Sequence, residues 1–382
     1  MKNQKILRRD WLKTMGAAGI GAALGGCASV KSLESVPQSY SRPLSRRPFI
    51  APRISHDRVV RVIAGHRPYR PSGFVVRREQ MDDKTVIHNY GHGGGGLSLS
   101  WGSSALAVRK THDLAKGQAA VIGSGAMGLS TARLLQDAGW AVTIYTRDAT
   151  RHTTSNMAVG HWSPSSVFEE GVASAEFESE LKWASRISHH AFQNLIGAGY
   201  GVSWMENYNL GDEPIGRPYY LRELPELYPL VADLEPHEHP FPVPYVQRVV
   251  TMLVEPAAYL RRIRTDFYQA GGRLIMQNFA NRSEILALNE PVIFNCTGLG
   301  AARLFDDDEL VPVKGQLVFI LPDPDVDYLT TGGGAGMLHM VPRSGEIVLG
   351  GTHDHGDWTT QIDPDETDRI ITENQKLFAN FG

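Results

Sequence analysis

The sequence predicts an α/β fold, and three observations within residues 118–145 predict it. Gln118–Ile122 is a short apolar run that leads straight into Gly123-x-Gly125-x-x-Gly128. Leu129, Ala132, Leu134 and Leu135 then recur at helical spacing until Gly139 stops the helix, and residues 140–145 alternate as a second strand. Together they form a complete Rossmann-like strand-turn-helix-strand unit. Its glycines stand where a pyrophosphate meets backbone N–H groups at a helix N-terminus, which makes Gly123, Gly125, Ala126, Met127 and Gly128 candidate dinucleotide contacts.

Taken in chain order, residues 1–27 read as an address rather than as fold. Lys2, Lys5, Arg8 and Arg9 form a basic start, followed by a weakly apolar stretch rich in Gly and Ala. Leu7-Arg8-Arg9-Asp10-Trp11 resembles a twin-arginine export signal, with Leu7 and Trp11 in place of the usual Ser and Phe. Leu24-Gly25-Gly26-Cys27 resembles a lipobox, which implies a lipid on Cys27 and a periplasmic or cell-envelope location against a membrane. A membrane-spanning helix is the alternative, but Lys13 and five glycines leave too little apolar length for about 30 Å of hydrocarbon. Residues 28–55, rich in Ser, Pro and Arg, read as a linker.

Composition narrows the class. The chain is 42% hydrophobic with a net charge of -3, so it has core enough to fold and no basic field for nucleic acid. Its two cysteines, Cys27 and Cys296, make no disulfide framework.

The glycine motif does not choose between FAD and a nicotinamide. The acidic residue expected after the second strand is displaced: Arg147 stands at the nearest position and Asp148 follows. An arginine there fits a 2′-phosphate, so an NADP-dependent dehydrogenase stands as the alternative.

Motifs scattered through the rest of the chain favour FAD. Residues 153–164, with Thr153, Thr154, Ser155, Gly160, His161 and Trp162, resemble the flavin-contacting loop of the D-amino-acid oxidase family. Thr297 and Gly298, after an apolar strand at 291–294, resemble that family's later strand end near FAD. Residues 64–71, with Arg67, resemble its arginine segment, and 88–101 resemble its last flavin-binding strand and turn. The resemblance implies FAD as cofactor and a Rossmann-like FAD-binding domain interleaved with an α+β substrate domain on a large mixed or antiparallel sheet. It also implies oxidative deamination of D-amino acids to a 2-oxo acid and ammonia, with oxygen or a membrane quinone accepting the electrons. Its order is rotated. Residues 56–116 match a segment that ends the family's chains, yet here they precede the phosphate turn, as in a circular permutation. On this reading 117–164 form the dinucleotide unit, 165–290 mainly the substrate domain, and 291–382 the remainder of both, with a helix-like joint at 105–116. Within 165–290, residues 181–196 read as an amphipathic helix, and Glu255-Pro256 opens another.

Candidate chemistry follows from the same comparison. A guanidinium meets a carboxylate in two parallel hydrogen bonds, and the resemblance gives that role to Arg67; Arg61 and Arg70 are left to surface ion pairs. Gly93, Gly94, Gly95 and Gly96 allow close backbone approach to a flavin, with the Gly94 carbonyl implied as acceptor for the substrate amine. Leu97 and Leu99 alternate with Ser98 and Ser100, which predicts a strand after the glycines, with Leu97 and Ser98 at the flavin. Phe279 completes the implied cofactor set. Where the family places tyrosines over the substrate, this chain has His339 and His353, which titrate near neutral pH and would suit a second carboxylate on acidic substrates. Their alternative is an exposed strand position, and the missing tyrosines leave open a non-catalytic flavin-binding lipoprotein. His353-Asp354-His355 and His237-Glu238-His239 offer too few ligands for a closed metal site, and no metal is assigned.

Overall fold

The computed structural model describes residues 48–381; Cys27 and the proposed export signal lie outside them. Among the described residues, fifteen strands form two sheets: β1 (Val59–Tyr69), β2 (Val75–Met81), β3 (Lys84–Tyr90), β4 (Gln118–Ile122), β5 (Ala141–Thr146), β6 (Val202–Gly211), β7 (Val231–Leu234), β8 (Tyr245–Val254), β9 (Arg273–Met276), β10 (Val292–Asn295), β11 (Val311–Ile320), β12 (Tyr328–Gly332), β13 (His339–Pro342), β14 (Ile347–Gly350) and β15 (Asp354–His355).

The smaller sheet runs β2-β3-β10-β4-β5-β9. Its strands are parallel except β2, which pairs antiparallel with β3 at one edge. Parallel strands covered on both faces read as continuous apolar runs, and β3 and β10 are buried at every position. The larger sheet runs β1-β11-β14-β13-β12-β6-β8-β7, with β15 on β11; it is antiparallel except where β12 lies parallel to β6. A Rossmann-like domain and a large mixed sheet are thus both present, as the sequence predicts.

Helices cover one side of the smaller sheet. Ala126–Asp137 follows the glycine turn, and Pro256–Gln269 packs against it, burying Tyr259, Leu260, Ile263 and Phe267. The latter starts with Pro256 in its first turn, where the missing N–H costs nothing. Ala175–Gln193 takes the place expected at 181–196 and begins earlier, because Ser174 caps the amide of Phe177.

Residues 96–109 overturn the strand expected after the glycines. They form one helix, Gly96–Arg109. The Leu/Ser alternation misleads because this helix is buried on nearly all sides, so its serines do not mark a solvent face. Ser100 pairs with Tyr259, Ser103 donates to Asn89, and Ser104 donates to the Met127 carbonyl. Gly102 lets the backbone of Ala184 approach. The expected joint at 105–116 is the end of this helix and a turn.

The linker ends sooner than residue 55. Phe49 stacks edge-on with Tyr208, Phe241 and Tyr328, and Arg53 holds Asp323 through both its backbone N–H (2.7 Å) and Nε (2.8 Å). An aromatic ring and a buried carboxylate dock this stretch on the larger sheet. Phe381 joins the same aromatic group, its ring centroid 6.2 Å from that of Phe49. Among the described residues, no helix is long and apolar enough to cross a membrane.

Candidate active site

A cavity of about 620 Å³ runs between the two sheets. One end lies at the glycine turn. Gly123 donates to the Tyr145 carbonyl at 2.7 Å, and Cys296 donates to the Ile122 carbonyl at 3.0 Å, so the turn sits where the chain leaves β4 for β5 on one side and meets β10 on the other. That is the switch point of a parallel sheet, where ligands bind outside the strand ends. Gly123 has φ +112°, open to glycine alone at no cost. A Cβ on Gly128 would lie 1.9 Å from the Gly123 carbonyl oxygen, so the third glycine brings helix and turn together. The first amides of the helix have no carbonyl partner within it; that of Ala126 donates to Ser155 Oγ at 2.9 Å.

Of the residues singled out in the sequence, Gly93, Gly94, Gly96, Leu97, Ser98, Gly123, Gly125, Ala126, Met127, Arg147, Asp148, Thr153, Thr154, Ser155, Gly160, His161, Phe279, Thr297 and Gly298 line this cavity together with Arg67. Gly95 and Gly128 sit one layer behind. Trp162 does not line it: its indole is buried in the core against His189 and Tyr228. Arg147 is bound to Asp148 at 2.7 Å, which occupies the cation expected for a 2′-phosphate.

At the other end Arg67 reaches from β1 across β11, and its Nη1 lies 3.4 Å from the Thr352 carbonyl. Burial lowers its pKa, with Asp354 acting in the opposite sense. Arg70 and Arg61, by contrast, are engaged by Asp307 and Glu309 and by Glu346. His339, at the start of β13, is buried, and its Nε2 has no partner. Burial, then the nearby Arg67, pushes its pKa down to about 3. His353 is lowered too, by burial and Arg67, and its Nδ1 is unpartnered. His339 therefore does not titrate near neutral pH and is not an exposed strand residue, and neither histidine is among the residues that line the cavity. Low dielectric disfavours the imidazolium, and Arg67 already supplies the local positive charge.

Sequence reasoning passed over His92. It lines the cavity, stacks on Phe74 at 4.7 Å, and meets Ser103 Oγ at 2.7 Å. Ser103 gives its proton to Asn89 Oδ1, so it accepts from His92 Nε2–H, which leaves Nδ1 as an acceptor. Burial holds His92 down at about 3 and His161 at about 4. Gln277 and Asn278 also line the cavity without any sequence signal. The donor set fits a flavin dinucleotide, with helix-end amides for a pyrophosphate at one end and the Arg67 guanidinium at the other.

The family model described as "DAO: FAD dependent oxidoreductase" matches residues 118–382. The chain belongs to this family. It is 29% identical over 262 residues to a D-amino-acid oxidase of Rubrobacter xylanophilus, an alignment covering 66% of this chain and 75% of the relative. To a D-aspartate oxidase of Homo sapiens it is 26% identical over 259 residues, covering 66% and 73%. Glycine oxidase from Geobacillus kaustophilus shares the fold with a TM-score of 0.53 at 17% identity, over 69% of this chain and 78% of that one. As a DAO-family member the chain is an FAD-dependent oxidoreductase, and FAD rather than NADP is its cofactor.

Proposed function

We propose that the chain oxidises D-amino acids, giving an imine that water converts to a 2-oxo acid and ammonia. The observation that carries this reading is Arg67, a half-buried arginine at the cavity end with no ion-pair partner among the described residues. A carboxylate supplies the missing countercharge and suits the planar fork. Bound FAD supplies the oxidant, taking two electrons and the Cα hydrogen of the substrate. Arg67 holds the carboxylate, and the Gly94 carbonyl accepts from the amine. His92 lines the cavity wall as an uncharged group, and His339, also uncharged, is buried in the sheet against Gly350. A side-chain carboxylate would find no cation in either histidine, so neutral D-amino acids fit better than acidic ones.

The test is anaerobic reduction of the purified holoprotein. Absorbance near ~450 nm, from the oxidised cofactor, should bleach with neutral D-amino acids and more slowly with D-aspartate. Arg67→Ala should weaken capture by about a hundredfold or more, because truncating one side of a buried charged pair costs several kcal/mol. A panel that leaves the band untouched sinks the substrate reading, and an Arg67→Ala protein that bleaches at parental concentrations sinks the anchor. Oxygen and a quinone are both acceptors to be compared in the reoxidation half.

We also propose that the chain is a circular permutation. Residues 59–116 lie outside the matched 118–382 yet complete both sheets, through β1 on β11 and β3 on β10. Phe49 and Phe381 meet, so the two ends of the described residues are within joining distance. Export by the twin-arginine route with a lipid on Cys27 belongs to the same proposal, resting on the sequence; the mass of the mature N-terminal peptide decides it.

A further inference from the structure

The sheet face that closes the substrate end of the cavity is stripped of side chains at neighbouring register positions. Gly65 of β1 pairs with Gly315 of β11, and Leu317, two residues along the same face, pairs with Gly350 of β14. The space they leave is filled from elsewhere. Arg67 pairs with Val313, yet its guanidinium folds back along β11 to lie on Gly315: a Cβ there would stand 2.6 Å from Nη1, 2.7 Å from Nη2 and 2.8 Å from Cζ. His339 fills the next trough, where a Cβ on Gly350 would stand 1.9 Å from both Cε1 and Nε2 of the ring. The strip between the two is pinned, because Gln316 donates its amide to Thr352 Oγ1 at 3.1 Å while the Thr352 carbonyl faces Arg67.

We propose that Gly315 is a positioning residue for substrate capture. By lacking a Cβ it lets the Arg67 guanidinium lie flat against the sheet, and so fixes the depth at which a carboxylate is held. This inference rests on the reading of Arg67 as the carboxylate anchor. A methyl at 315 meets only the far end of a flexible side chain, so the sheet keeps its backbone and the guanidinium is what moves. Raised into the cavity, it holds the carboxylate too high and tilts Cα away from its reacting position. A displacement of this size costs on the order of a hundredfold where geometry is tight.

Propionate, an alanine skeleton without the amine, is the probe, titrated into FAD-loaded protein and followed through the cofactor absorbance. Gly315→Ala should retain its FAD and its melting temperature but bind propionate about ten- to hundredfold more weakly. D-alanine KM should rise in parallel, and the rate at saturation should fall as Cα tilts from its reacting position. The deciding measurement is a double-mutant cycle: in an Arg67→Ala background, Gly315→Ala should add nothing further. If Arg67→Ala weakens propionate and Gly315→Ala does not, the glycine has no positioning role. An equal loss from Gly315→Ala in both backgrounds assigns its effect to general packing and overturns the proposal. Parental propionate affinity in Arg67→Ala itself removes the carboxylate reading, and the inference with it.

Discussion

The two ends of the cavity are built by opposite means. The turn at Gly123–Gly128 is made by one unbroken stretch of chain, and its working groups are backbone amides. The end at Arg67 is assembled from β1, β11, β13 and β14, and its working groups are side chains that meet through sheet register. A local device tolerates changes around it but not within its own backbone geometry. A register-built device holds only while several distant strands keep their pairing.

Three experiments press on that difference. The largest effect is expected from Gly128→Val, which forces a side chain onto the Gly123 carbonyl and should give a folded but colourless protein. Retained yellow colour would mean that the turn adapts and is not a rigid device. A graded effect is expected from acid. His92, His161 and His339 have folded pKa values of about 3, 4 and 3, below the ordinary 6.5, so the folded state refuses protons that the unfolded chain takes up. Their contribution is complete above about pH 6.5 and is lost as pH falls from there toward 4, each histidine adding a slope of about 1.4 kcal/mol per pH unit. Melting temperatures of the holoprotein across that window should fall, and less steeply in His339→Gln; a flat profile would contradict the neutral histidines. The smallest effect is expected from reordering the chain so that residues 48–116 follow 117–381 through a short link. If register rather than chain order makes the substrate end, FAD content and Arg67-dependent bleaching should persist. Loss of bleaching with FAD retained would show that chain order matters at that end alone.

The same contrast explains what the sequence made legible. The dinucleotide unit was readable because its strand, turn and helix are adjacent, and β4, the helix Ala126–Asp137 and β5 fall where periodicity puts them. The helix Gly96–Arg109 was not, because Ser98, Ser100, Ser103 and Ser104 are polar residues satisfied inside the core, and they erase the apolar stripe that normally reveals a helix. Trp162 sits within a stretch that otherwise lines the cavity, and only packing decides that its ring turns to Tyr228 instead. His92 carried no signal, since its fixed tautomer depends on Asn89 and Ser103. Gly315 carried none either: its significance arises from an arginine nearly 250 residues away in sequence.

Contact between Phe49 and Phe381 has a consequence for where such a chain can be opened. With those two points touching, residues 49–381 form a ring with a single gap, and moving the gap exchanges one short surface connection for another. Loop-closure entropy changes only slowly with length, about 0.6 kcal/mol per doubling, so the exchange is nearly neutral. The joint itself lies in the aromatic cluster of the larger sheet, and Phe49, Tyr208, Phe241, Tyr328 and Phe381 line no part of the cavity.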